Sequence, residues 1–326
     1  MHLPDLTGMS CLAYMGQAVF AGATRNKTLP DFISCFARHV GECERTGRNG
    51  STANYRMAYR MLVRYAGGGK LPPEQFTAEW LEHYERWLLA RGLGTNSVVF
   101  HMRSLRAVYN RAVEQGLFPA AGSNPFRRRL IKQVATRKRA LPRETLRRIG
   151  GADLSALHPK YALARDLFMF SFYTRGMSFV DIAYLKKADL KSGVLTYRRR
   201  KTGRRLSIKW EKPMQEILDR YGHNDSPYLF PVIRDTAKDA VRQYRSAAHF
   251  INGKLKELGK RLGLGMPLTM YVARHAWASI ARSKNVPLAT ISEAMGHDSE
   301  NTTRICLASL DFSKEKKANE IILKSL

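Results

Sequence analysis

Seven basic side chains fall within residues 198–209: Arg198, Arg199, Arg200, Lys201, Arg204, Arg205 and Lys209. Like charges at that density repel one another unless a counter-charge is bound, so the chemistry they suit is the holding of a polyanion. A second concentration runs from Arg127 to Arg148, with ten Lys or Arg against one acid, Glu144. It contains Arg127, Arg128, Arg129, Arg137, Lys138 and Arg139. That is too one-signed for a merely solvated linker, and it reads as a segment tracking phosphates. A third set, His101, Arg103, Arg106 and Arg111, lies along one helical stretch. It is either a solvated face or a DNA contact. The whole chain agrees in sign: 326 residues carry 55 Lys+Arg against 27 Asp+Glu, a net charge of +28. At 44% hydrophobic residues the chain can fold, which excludes a mostly disordered basic tail. Nucleic acid is the first candidate partner and an anionic membrane surface the second. No apolar run reaches the ~18 residues a membrane-spanning helix needs.

Metal and disulfide chemistry find little support. Cys11, Cys35, Cys43 and Cys306 form no Cys-x-x-Cys pair, and no His cluster stands at zinc spacing. The expectation is reduced thiols in a cytosolic protein. Residues 9–23 are mildly apolar, but the segment before them carries Asp5 and no Lys or Arg, against a secretion signal. Residues 1–27 read as a flexible extension, or an arm that touches DNA.

The elements that must position these charges show in the apolar spacing. Phe32, Ile33, Phe36 and Val40 predict a helix from Thr28 to about Arg45. Ser51 is a candidate N-cap for a helix bearing Tyr55, Tyr59, Leu62 and Tyr65; Thr77 for one bearing Trp80, Leu81, Tyr84, Trp87 and Leu88; Thr95 for one bearing Val99, Met102, Leu105, Tyr109 and Val113. Asn124-Pro125 ends this helical region. After the basic segment, helices are predicted near 143–150, 159–173, 178–186, 213–221, 236–262, 272–283, 287–295 and 300–307. The intensely basic stretch reads as a β-hairpin, Val194–Arg200 and Arg205–Trp210 about a Thr202-Gly203 turn.

The C-terminal third resembles a known family. Tyr271-Val-Ala-Arg274, Gly296-His297 and Thr302-Thr303-Arg304-Ile305-Cys306 are similar to the signature of the tyrosine recombinases, the phage integrase family. The intervals match: His297 follows Arg274 by 23 residues, and Cys306 follows His297 by nine. The helical region ending Asn124-Pro-Phe126, the Lys201-Thr-Gly203 hairpin and the box around Arg175-Gly-Met-Ser178 extend the likeness from residue 28 onward. The wording Thr174-Arg-Gly-Met-Ser-Phe-Val-Asp181 resembles one branch, known from conjugative elements and DNA-inverting systems of gut anaerobes.

The resemblance implies a mainly α fold with a small β-sheet, in a two-domain clamp on duplex DNA. A helical core-binding domain would span 28–126, a basic linker 127–141, and a catalytic domain with a C-terminal tail 142–326. It implies site-specific recombination through a 3′-phosphoprotein link, with no metal or other cofactor. It further implies a homotetramer on two DNA sites, with the tail (Ala318–Leu326) docking on a neighbour, accessory DNA-bending proteins, and a place on DNA in the bacterial cytoplasm with no membrane partner. Arg274 would clamp the phosphate, His297 would donate to it, and Lys201 would protonate the leaving 5′ oxygen. Such a reaction passes through an anionic five-coordinate phosphorus, which preorganised positive charge stabilises. Arg199 and Arg204 would join the DNA contacts.

Three positions depart from the family pattern. Ser178 stands where the first-box Arg is usual, and Arg175, three residues earlier, is the proposed substitute if the two share a helix face. The alternative is an Arg175 paired with Asp181 or touching the backbone. Tyr271 replaces the His of His-x-x-Arg; a phenol still donates a hydrogen bond but is a poor base near neutral pH. Cys306 stands at the nucleophilic tyrosine. Its soft sulfur suits phosphorus poorly, and it ends roughly 3–4 Å nearer the backbone than a tyrosine hydroxyl, where a misplacement of ~1 Å already costs ~10²-fold. The chain is therefore expected to be cleavage-deficient. A non-catalytic DNA-binding regulator derived from a recombinase, and a type IB topoisomerase-like enzyme, remain as rival readings.

The charge pattern has a direct consequence. Affinity for duplex DNA is expected to fall ~10³-fold or more between 50 and 200 mM salt if about 6–10 phosphates are contacted. A titration across that range tests it; a flat log K against log[salt] would contradict it.

Overall fold

The computed structural model describes residues 30–47, 49–120, 124–126, 134, 141–221 and 225–307, the side chains of Asn49 and Cys306 excepted. The expectations for residues 1–27, for Arg127, Arg128, Arg129, Arg137, Lys138 and Arg139, and for the tail Ala318–Leu326 lie outside the described residues. The chain divides into two compact units between Ala135 and Thr136.

The first unit is helical: α1 (Phe32–Arg45), α2 (Asn49–Tyr65), α3 (Ala78–Ala90) and α4 (Thr95–Glu114). Helix α1 starts later than its apolar spacing predicts, because Asp31 caps it, accepting from the backbone N–H of Ile33 at 2.9 Å and of Ser34 at 3.3 Å. Asp31 also accepts from Leu71 N–H, tying the cap to the chain beyond α2. Thr77 caps α3 as expected, accepting from Trp80 N–H at 3.1 Å. The other two expected caps are displaced: α2 already runs at Asn49, so Ser51 lies in its first turn, and α4 is preceded by Gly94, so Thr95 is its first residue. Phe32, Phe36, Leu62, Tyr84, Leu88, Met102 and Leu105 fill the core. Phe126 closes it from the far end, its ring tilted against those of Phe76 and Tyr109. Asn124 holds that end, its side chain accepting from Phe126 N–H at 2.9 Å.

In the second unit α5 (Arg143–Gly150) precedes α6 (Lys160–Tyr173), whose Ala164, Leu167, Phe168 and Phe170 are fully buried. A helix apolar on every side has to be enclosed, and α6 packs against α8 (Lys212–Tyr221), α9 (Ala240–Arg261) and α10 (Met270–Ser283). Helix α7 (Phe179–Tyr184) stops short of the expected Lys186, where Asp189 accepts from Lys186 N–H and turns the chain. Helix α9 begins four residues late, because Asp239 caps it while Gln243 folds back on Arg234 and Asp235.

The basic hairpin is present as β2 (Val194–Arg198) and β3 (Arg205–Lys209), antiparallel, with Leu195 opposite Ile208 and Arg198 opposite Arg205. Leu195, Tyr197 and Ile208 face the core, and the basic residues take the alternate positions or the tip. A third strand, β1 (Leu190–Lys191), pairs with β2; two residues are too short to show alternation in the sequence. Helices α11 (Leu288–Ala294) and α12 (Glu300–Leu307) pack on α10 through a separate small cluster of Ala278, Ile291, Met295 and Leu307.

Candidate active site

A cleft of about 430 Å³ opens where the α6–α7 turn, the hairpin tip, α9, the N-terminus of α10 and the start of α12 meet. Arg199, Lys201, Tyr271, Arg274 and His297 all line it. Residues up to 98 positions apart in sequence are thus brought together by hydrogen bonds to backbone carbonyls rather than by side-chain pairing alone.

Arg274 is the most constrained of them. It is 7% exposed, and its guanidinium donates to Gly176 O at 2.6 Å and to Met295 O at 2.8 Å. One carbonyl belongs to the turn after α6 and the other to the end of α11, so this single side chain joins three segments. Gly176 permits the approach: its φ is +74°, and a Cβ there would lie 2.8 Å from Arg274 Cα.

Arg199 follows the last residue of β2. It is 7% exposed and donates through Nη1 to Gly296 O. Its Nε is buried with no hydrogen-bond partner among the described residues. Lys201 is exposed at the tip, where it lines the cleft. Arg204, expected as a DNA contact, donates to His297 O at 3.2 Å and lies 3.7 Å from Glu293, so it braces the loop that carries the histidine. His297 is 8% exposed, and its Nδ1 meets Thr303 Oγ1 at 2.6 Å. Burial, with the positive charges of Arg274, Arg199 and Lys201 nearby, lowers its pKa to about 4. The ring is therefore neutral at neutral pH. Tyr271 is 60% exposed at the mouth, its ring edge-on to His275 with centroids 4.5 Å apart.

The premise offered for Arg175 is overturned. Arg175 and Ser178 do not share a helix face: α6 ends at Tyr173, Arg175 sits in a left-handed turn with φ 60°, and Ser178 is the N-cap of α7. Arg175 is not among the residues lining the cleft. Its charge acts instead near Tyr197. Nor does Asp181 pair with it, for Asp181 accepts from Ser178 Oγ at 2.6 Å and from Arg200 N–H at 2.8 Å. That bond anchors the hairpin tip to α7, and the Arg200 guanidinium carbon lies over the Tyr184 ring, 3.8 Å from its centroid. Cys306 lies within α12. In the first unit, Arg103 lines a groove with Ser51, Asn54, Tyr55 and Asn96, and Arg106 is exposed on α4.

A cleft holding two buried guanidiniums, a lysine and a neutral imidazole suits an anionic oxygen-bearing group, and Tyr271, Arg274 and His297 stand in it at the recombinase intervals. Residues 144–311 match the phage integrase family, and residues 31–127 match the phage integrase SAM-like domain. The chain belongs to the phage integrase family, the tyrosine recombinases. No curated protein matches it in sequence. Among solved structures it is similar to a lambda integrase dimer bound to a COC′ core site, with TM-score 0.64, 16% identity, and coverage of 84% of this chain and 94% of that one. The Tn1549 transposon integrase in complex with a circular-intermediate DNA gives TM-score 0.65 at 14% identity, covering 87% and 99%. A lambda integrase tetramer bound to a Holliday junction gives 0.64 at 17%, covering 86% and 78%.

The close approach at Gly176 sets a measurable cost. Gly176→Ala is expected to destabilise by about 2–4 kcal/mol, the strain of a left-handed residue plus the displacement of Arg274. Gly203→Ala has a similar φ of +71° but no atom within 4 Å, and is expected to cost about 1–2 kcal/mol. Urea unfolding of both variants tests this; equal losses would show that Arg274 does not depend on the missing Cβ.

Proposed function

We propose that the chain is a site-specific DNA recombinase scaffold whose cleft receives one phosphodiester, and that Cys306 makes it cleavage-deficient. The observation that carries this is the convergence of Arg199, Lys201, Arg274 and His297 on one cleft. Arg274 grips two non-bridging oxygens in the planar, bidentate manner of a guanidinium. Arg199, rather than Arg175, supplies the second guanidinium that Ser178 does not. It lines the cleft, it is held by Gly296, and its buried Nε lacks the partner that a seated anion brings into its field. Lys201, exposed at the hairpin tip, protonates the leaving O5′. Tyr271 donates a hydrogen bond from the mouth.

With a tyrosine at position 306, its Oη would attack phosphorus while its phenolic proton passes to solvent water, the P–O5′ bond would break, and the proton from Lys201 would complete the 5′-OH. The protein would be left on the DNA 3′ end. The phosphoprotein bond keeps the energy needed for rejoining, so no metal or ATP enters. The duplex partner, a tetramer on two sites, tail docking in trans and accessory DNA-bending proteins belong to the same reading. So do the divisions at 28–126, 127–141 and 142–326, and a branch used by mobile elements for integration or inversion. In the first unit Arg103 and Arg106 would meet the duplex from α4. Cys306 favours one alternative, a DNA-binding regulator that keeps the fold and has given up cleavage.

The decisive experiment compares the chain with its Cys306→Tyr variant on nicked duplex substrates in EDTA. The variant is expected to form an SDS-stable, protease-sensitive adduct at the DNA 3′ end, and the parent none. In the Cys306→Tyr background, Arg274→Ala and Arg199→Ala are each expected to slow adduct formation ~10²–10³-fold, and Arg175→Ala by less than about tenfold. No adduct from Cys306→Tyr on its mapped site would leave the regulator reading in place. A severe Arg175→Ala beside a mild Arg199→Ala would reverse the guanidinium assignment.

A further inference from the structure

One contact in the cleft has a role that the reaction outlined above does not use. His297 Nδ1 lies 2.6 Å from Thr303 Oγ1, with the imidazole 8% exposed and Thr303 fully buried. A neutral imidazole carries a single N–H. Which nitrogen holds it decides whether Nε2 offers a donor or a lone pair, and the partner of Nδ1 makes that choice. The ring is neutral at neutral pH, since burial and the surrounding cations hold its pKa down to about 4.

Two arrangements are open to the pair. In one, Nδ1–H donates to Thr303 Oγ1, and the threonine hydroxyl must find an acceptor of its own. Thr303 Oγ1 has no other hydrogen-bond partner among the described residues, so its hydrogen would be buried unpaired, which is costly. In the other, the hydroxyl donates to Nδ1. Both groups are then satisfied, and the ring hydrogen sits on Nε2.

We propose that Thr303 is the positioning residue that fixes His297 as the Nε2–H tautomer, so that the imidazole acts as a hydrogen-bond donor and not as a base. The proposal rests on the reading of the cleft as a phosphate site, where an N–H stabilises a non-bridging oxygen and a lone pair would be repelled. Thr303 lies on α12 three residues before Cys306. The helix that carries the nucleophile position therefore also sets the donor state of the catalytic-cleft histidine. Its seat is the cluster of Leu307 with Ala278, Ile291 and Met295.

The test reads the tautomer directly. Nitrogen-15 NMR of the ¹⁵N-histidine-labelled full chain at pH 7, with His297→Gln used to assign the signal, is expected to show a protonated Nε2 and an unprotonated Nδ1. Thr303→Val keeps the shape and removes the hydroxyl, and is expected to abolish that single-tautomer signature. Thr303→Ser keeps the hydroxyl and is expected to preserve it. In the Cys306→Tyr background, Thr303→Val is expected to slow adduct formation about 10–100-fold, as loss of an orienting partner does, with Thr303→Ser within a few-fold of the parent. A protonated Nδ1 in the unmodified chain, or an unchanged tautomer in Thr303→Val, overturns the proposal. An intact Nε2–H signature with no adduct from Cys306→Tyr overturns the recombinase reading and leaves the Thr303 assignment standing.

Discussion

The second unit is organised around one buried cation. Arg274 enters from α10 and is fixed by the carbonyl of Gly176 on one side and that of Met295 on the other. A guanidinium taken out of water needs its donors satisfied in good geometry. Meeting that need brings the turn after α6 and the end of α11 to the same point. The neighbouring carbonyl, Gly296, then takes Arg199, and His297 follows in the chain. The positions of the remaining cleft groups follow from where the two arginines are anchored, and the anchors are backbone atoms that substitution of side chains does not remove.

Concentrated positive charge destabilises a fold unless something opposes it, and the chain uses packing and local acids to hold it. The hairpin keeps Leu195, Tyr197 and Ile208 in the core while its alternate positions carry charge. Asp181 holds the backbone at Arg200, and Tyr184 covers that guanidinium. Asp166, almost fully buried, takes Arg165, Arg220 and the Tyr221 hydroxyl together. Lys201 is left exposed at the tip. A positive cleft with buried arginines and one exposed lysine suits a reaction in which charge builds on phosphorus.

Much of this was legible in the sequence, and the misses have physical causes. Helices 143–150 and 300–307 have the bounds the sequence predicts, and the hairpin emerged because its alternation is flanked by a turn. The roles proposed for Arg274, His297 and Lys201 came from the resemblance to the recombinase signature, which local motifs and intervals carry. Arg199 was expected as a DNA contact and not as a buried cleft residue. Its burial depends on Gly296, nearly a hundred residues away, and no local pattern records that contact. The three-residue spacing alone puts Arg175 and Ser178 on one helix face, where the glycine and a left-handed arginine turn the chain. The Thr303–His297 pair spans six residues, yet it is invisible without the turn that folds α12 back on the loop.

The central claim is that Arg274 and Arg199 act on one and the same phosphate. The most direct measurement is a double-mutant cycle between side chain and DNA. Each phosphate near the centre of the bound site is replaced in turn by a neutral methylphosphonate, and binding is measured for the parent chain, Arg274→Ala, Arg199→Ala and Arg175→Ala. The account predicts one position at which neutralisation is strongly non-additive with both Arg274→Ala and Arg199→Ala and additive with Arg175→Ala. Coupling of the two arginines to different phosphates, or additivity at every position, would contradict it.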